Sequence, residues 1–242
     1  MRRKKDETLT YRQRLWFAGV LTTCFIVMLL MACSSCAYRQ YPSEVPTMSD
    51  PAVAQLVTVE DGKESGHCTV FKVGSDLAMT AGHCCGTDED SGASLPNILG
   101  ALVDLKVDKP VMTYHAKGPH AIPGAGLEVL YDDDEHDVCL LKGKLKGAPL
   151  ALALHDPALG ARVWTAGYPK GQYLISSGYW SGRDEDDESV ASIAVWGGAS
   201  GSPVMDSDGR VVGVLRAYYP PLSNLAIIAS LEWLRTALAQ AK

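Results

Sequence analysis

Along most of the chain, apolar residues come in short runs cut by Gly, Pro and Asp. Among these runs are Cys68–Val73, Asp76–Ala81, Val111–His115, Leu127–Tyr131, Val138–Lys142, Arg162–Ala166, Tyr173–Ser177, Val190–Trp196, Arg210–Ala217 and Leu225–Ala229. Such lengths with turn residues between them predict strands of an all-β sandwich or barrel. The pattern changes at both ends. Near the C-terminus Leu231, Leu234 and Leu238 recur on one helical face, with Ser230 placed to cap the helix. Near the N-terminus Leu15–Cys33 is apolar and free of charge, and residues 34–50 (SSCAYRQYPSEVPTMSD) are polar and aperiodic, as in a flexible tether. The chain therefore divides into 1–33, 34–50 and a single domain over 51–242.

Composition agrees with many turns: 23 Gly and 13 Pro against only 3 Phe in 242 residues, 47% of them hydrophobic. The net charge of -6 conceals an asymmetry. Arg2, Arg3, Lys4, Lys5, Arg12 and Arg14 make residues 1–32 positive, so the rest of the chain is strongly acidic. An acidic body offers no footprint for nucleic acid. A basic segment, an apolar stretch and then small residues is the pattern of an export signal. Leu30-Met31-Ala32-Cys33 resembles the bacterial lipobox, which implies lipid attachment at Cys33. A plain cleaved signal or a retained anchor is the alternative. In each case the basic end stays inside and the remainder is exported, to the cell envelope or beyond, where disulfides persist.

Three segments carry candidate chemistry: Thr80-Ala81-Gly82-His83-Cys84, His136-Asp137-Val138-Cys139-Leu140-Leu141 and Gly197-Gly198-Ala199-Ser200-Gly201-Ser202-Pro203. In the order His, Asp, Ser they resemble the chymotrypsin/trypsin superfamily, and within it the bacterial trypsin-like branch that includes the HtrA proteases. Ala166–Pro169, Ser176–Arg183, Arg210–Ala217 and the closing helix extend the likeness over about residues 65–240. The resemblance implies two six-stranded antiparallel barrels with the active site in the cleft between them. It implies His83 as base, Asp137 as its orienter and Ser200 as nucleophile, with backbone N–H groups of Gly198 and Ser200 facing a developing oxyanion. No cofactor is implied, and the partners are protein or peptide substrates.

The residue types suit the chemistry. A serine hydroxyl attacks only when a base takes its proton. A carboxylate holds that base in the right tautomer and stabilises the imidazolium. The resemblance also implies a Cys68–Cys84 disulfide fixing the histidine loop. Cys85 and Cys139 are left as either a second bridge or two small buried thiols. A metal site built from His67, Cys68, His83, Cys84, Cys85, His136 and Cys139 is a rival reading, but no pair among them has C-x-x-C spacing.

The chain departs from the digestive members of the superfamily at Ala199, where they hold an aspartate that pairs with a new N-terminus. Activation by cleavage is therefore not expected, nor is a PDZ domain after Lys242. Ala194 falls near the expected pocket floor, which speaks against a Lys or Arg preference. Arg216 lies on the expected strand wall, facing either acidic substrates or solvent. The acidic runs Asp184–Glu188 and Asp132–Glu135 read as solvated loops, with calcium binding the alternative for the first. A catalytically inactive binding module on the same fold is the alternative function. An esterase elbow is not matched, because Ser202 occupies its second glycine position and the residue order is reversed.

Overall fold

The computed structural model describes residues 52–60, 62–86, 112–185, 187–219 and 222–241, all within one compact unit, Pro46–Lys242. The basic start, the apolar run, Cys33 and the tether over 34–50 lie outside the described residues.

Twelve strands close into two barrels. The first barrel holds β1 (Val53–Glu60), β2 (Lys63–Lys72), β3 (Leu77–Thr80), β4 (Met112–Lys117), β5 (Gly126–Asp133) and β6 (Val138–Lys142), ordered β1-β2-β3-β6-β5-β4. The second holds β7 (Arg162–Gly167), β8 (Leu174–Arg183), β9 (Ser189–Ala191), β10 (Pro203–Met205), β11 (Val211–Tyr219) and β12 (Leu222–Ser230), ordered β10-β11-β12-β9-β8-β7. Every pairing between these strands is antiparallel. Closure leaves no open sheet edge to cover. A single helix, α1 (Leu231–Gln240), follows β12.

The apolar pattern explains the layers. In β6 the four residues Val138–Leu141 are all buried, whereas in β8 the buried residues Gly178 and Trp180 alternate with exposed ones. Phe71, Leu56, Met79, Leu140 and Leu141 fill the first barrel; Ile193, Val204, Val212 and Ile228 fill the second. Burying a large aliphatic side chain contributes about 1.5–3 kcal/mol, so each barrel is held mainly by this packing. Helix α1 buries Leu231, Leu234 and Ala237, and Leu238 is partly buried. Two expectations need correction. Ser230 makes no side-chain capping bond; its hydroxyl is buried instead. The run Val190–Trp196 is strand only as far as Ala191, because beyond it the chain must leave the sheet to form the loop that carries Ser200.

Candidate active site

His83 sits in a short 3-10 turn, Gly82–Cys84, directly after β3. Asp137 ends the hairpin turn between β5 and β6, and β3 pairs with β6, so the two residues leave neighbouring strands at the same end of the first barrel. His83 Nδ1 lies 3.0 Å from both carboxylate oxygens of Asp137, and the His83 backbone N–H donates to Oδ1 at 2.7 Å. Nδ1 therefore carries the proton, which leaves Nε2 as the basic nitrogen. The ring is 45% exposed while the carboxylate is 10% exposed, so the imidazole is reachable and its partner is shielded.

Asp137 adopts φ 56°, the left-handed region, which aspartate enters more readily than most residues. The turn is organised by Asp133, whose Oδ1 accepts the His136 backbone N–H at 3.0 Å, and the His136 ring stacks on Trp233 of α1. Burial pushes Asp137 up, but its hydrogen bonds with His83, the His83 charge and the nearby Arg216 outweigh that and hold it below the usual carboxylate range. Asp132 is pushed up to about 6, by burial first and then by the charges of Asp134 and Asp137. Within the run 132–135, Asp132, Asp134 and Glu135 are exposed, as in a solvated loop, whereas Asp133 is held by Tyr131 and His136.

Ser200 lies on the loop before β10, in the second barrel, and is partly exposed. Its carbonyl accepts the Thr69 N–H from β2 at 2.7 Å, a direct bond between the barrels. The Gly197 carbonyl accepts the Lys170 N–H at 2.8 Å. Because a trans peptide directs C=O and N–H oppositely, the Gly198 N–H points away from Lys170. Among the described residues, the N–H groups of Gly198 and Ser200 donate to no protein acceptor. Gly198 has φ +91°, and a Cβ there would lie 2.7 Å from the Tyr168 carbonyl oxygen. Gly201 has φ +82°, with the Thr69 carbonyl oxygen 2.1 Å from a would-be Cβ. Glycine is required at both positions on conformation and on space.

Two bridges flank the histidine. Cys68 joins Cys84, tying the turn to β2, and Cys85 joins Cys139, tying it to β6. The second bridge resolves the alternative left for Cys85 and Cys139. The first bridge consumes both thiolates that a Cys68, His83, Cys84 metal cluster needs.

Thr69 is the residue that sequence reasoning missed. Fully buried, it accepts the Tyr168 N–H and donates to the Gly198 carbonyl, both at 2.9 Å. Thr80 in turn donates to the Thr69 carbonyl at 2.7 Å. A threonine in an apolar strand carries no local signal of this task. Arg216 points neither to solvent nor to an open wall: its Nε lies 3.4 Å from Asp137 Oδ2 and Nη1 2.5 Å from Glu188 Oε1. Of the acidic run 184–188, Asp187 pairs with Arg183 and Asp184 accepts the Glu188 N–H, so these members are structured. Ala194 lines a small open pocket together with Thr165, Ser176, Trp196, Ala199 and Ser202, and among the described residues no charged one lines it.

Two closed six-stranded barrels, with a histidine–carboxylate pair on one and a Gly-x-Ser-Gly loop on the other, are the build of a serine endopeptidase. The chain belongs to the trypsin-like peptidase domain family, whose model matches residues 66–214. No curated protein sequence matches it. Among solved structures it is similar to the serine endoprotease from Yersinia pestis, with TM-score 0.60, 11% identity and 78% of this chain covered; it spans 62% of the length of that protein. It is also similar to the Rv3671c protease of M. tuberculosis in its active form, with TM-score 0.59, 21% identity, and 80% and 82% of the two chains covered. The inactive form of the Rv3671c protease gives TM-score 0.56 at 20% identity, covering 78% of this chain and 88% of that one. At these identities the likeness is one of fold.

Proposed function

We propose that the protein hydrolyses peptide bonds through an acyl-enzyme on Ser200, with His83 as base and Asp137 as its orienter. The observation that carries the reading is the buried Asp137 carboxylate, 3.0 Å from Nδ1 of an exposed His83. Nε2 takes the hydroxyl proton as Oγ attacks the scissile carbonyl. The same proton passes to the leaving amine as the C–N bond breaks, and a water molecule repeats the sequence to release the acid. The amides of Gly198 and Ser200, which lack a protein acceptor, suit the oxyanion, where one such donor is worth on the order of 3 kcal/mol. Ala194 in an uncharged pocket argues against a preference for Lys or Arg.

The test is labelling by a fluorophosphonate probe together with cleavage of a peptide library. Wild type should react and cleave, and Ser200→Ala should do neither while melting normally. Labelling that persists in Ser200→Ala, or a folded wild-type protein inert to both, would refute the assignment and favour a binding module.

The site of action is outside the cytoplasm, with the domain tethered to a membrane through lipid on Cys33. The basic-then-apolar N-terminal pattern supports this, as do two disulfides around the site. Intact mass of the natively processed chain decides it: an unmodified Cys33, or a mature start elsewhere, removes the lipid anchor.

A further inference from the structure

We propose that Arg216 is a positioning residue for Asp137, aimed by a β-bulge and held by Glu188 so that the second barrel orients the carboxylate of the first. The proposal rests on the proteolytic reading of the same site.

The backbone supplies the first observation. Leu215 pairs with Ile228 and Ala217 with Ile227, so Arg216 is the extra, unpaired residue of a bulge in β11. A bulge re-aims its side chain out of the regular alternation, and bulges recur beside active sites for that reason. Here the guanidinium leaves the β11–β12 ladder and reaches the hairpin turn of the other barrel.

The second observation is the pairing. Arg216 divides its fork between two carboxylates, Nε at 3.4 Å from Asp137 Oδ2 and Nη1 at 2.5 Å from Glu188 Oε1. The arginine side chain is 26% exposed and Glu188 31%, so neither is a freely solvated surface charge. A planar fork held at one end has little freedom at the other. Asp137 is then contacted from both barrels: His83 Nδ1 lies 3.0 Å from each carboxylate oxygen and its backbone N–H donates to Oδ1, while Arg216 forms an ion pair with Oδ2.

The third is electrostatic. The groups around the His83–Asp137 pair are Asp132 and Asp133 from β5, Asp134 and His136 from the turn, Arg216 from β11, and Glu188 just before β9. Three of these carboxylates thus share the hairpin with Asp137, Glu188 adds a fourth beside Arg216, and among the described residues of this group Arg216 is the permanent cation. It adds to the His83 contacts that hold Asp137 below the usual carboxylate range, and it offsets part of the negative field that favours the imidazolium.

Three variants test this: Arg216→Gln, Arg216→Lys and Glu188→Gln, each in an Asp132→Asn background so that the Asp132 carboxyl does not titrate in the same range. Removing the cation favours the imidazolium, so Arg216→Gln should move the acid limb of kcat/KM upward by about half to one pH unit. It should also lower kcat about ten- to a hundredfold at nearly unchanged KM, because the carboxylate loses one side of its grip. Glu188→Gln frees the guanidinium but removes an anion, so kcat should fall while the acid limb moves downward. Arg216→Lys should return the acid limb to its wild-type position with intermediate kcat. Opposite shifts from neighbouring variants are what a merely structural role does not produce.

The proposal is overturned by a kcat within about twofold of wild type in Arg216→Gln, since a lost grip should cost far more. A loss confined to KM, or a fall in kcat with an unmoved acid limb, overturns it equally. If Arg216→Gln does not fold, Glu188→Gln decides alone by the same two readouts. NMR titration of the His83 ring in the Ser200→Ala protein, with and without Arg216→Gln, needs no turnover. An upward shift there supports the proposal even if peptide hydrolysis is never seen, and an unmoved midpoint overturns it.

Discussion

The Cys85–Cys139 bridge offers a perturbation whose size follows from chain statistics. It closes a loop with sequence separation 54, and the Cys68–Cys84 bridge closes one of 16. The two loops share no residue, so their constraints on the unfolded chain are independent. Loop-closure entropy gives about 4 kcal/mol for the longer and about 3 kcal/mol for the shorter. Replacing Cys85 and Cys139 together by Ala should therefore cost about 4 kcal/mol, with a small further loss because Cys139 is fully buried. For a domain of this size the loss corresponds to a fall in Tm of about 8–16 °C. Urea melts and thermal melts of residues 51–242, with and without reductant, measure it. Reductant should lower the wild-type Tm by more than it lowers that of the double variant, which has only the shorter bridge left to lose. A loss under about 1 kcal/mol would refute the reasoning, because the unfolded chain would then already be confined without the bridge. The bridge also has a local position: each of its cysteines lies two residues beyond one member of the His83–Asp137 pair.

Gly198→Ala puts a Cβ 2.7 Å from the Tyr168 carbonyl at φ +91°, so the peptide must turn and its N–H leave the position proposed for the oxyanion donor. The expected loss in kcat/KM is about a hundredfold or more, with a Tm change of only a few degrees; activity within threefold of wild type would show that this amide is not used. Asp132, with its carboxyl raised to about 6 in the folded state, holds a proton that the unfolded chain has released, so folding stability falls as pH rises from about 4 to about 6. Asp132→Asn should raise Tm by a few degrees above pH 6, on the order of 1 kcal/mol after solvent screening, and leave it unchanged near pH 3. Equal shifts at both pH values would disprove the linkage.

Elements and chemistry were unequally legible in the sequence. The β6 strand was read at its full bounds, Val138–Lys142, because four consecutive buried apolar residues stand out between polar turns. Two strands stand outside the runs named from the sequence. Pro203–Met205 is three residues long, too short for any period to show, and Val53–Glu60 directly follows the polar segment taken for a tether. The three segments holding His83, Asp137 and Ser200 were visible because their requirements are local. Glycine at 198 and 201 answers to backbone angles and close approach, aspartate at 137 to a left-handed turn, and the bridging cysteines adjoin the residues they secure.

What tertiary structure alone decided is how distant residues meet. Thr69 bonds the loop of Gly198 from 129 residues away, and Arg216 reaches Asp137 across the two barrels. Neither follows from composition or period, because each depends on strand register and on one bulge, and shifting a strand by a single residue turns every side chain to the other face. The pairing of Cys85 with Cys139 has the same origin: only when β3 lies beside β6 do the two cysteines come within 6.4 Å, measured between Cα atoms. Local chemistry was therefore written in short motifs, whereas the contacts that tune it arise only once the barrels have closed and brought remote strands into register.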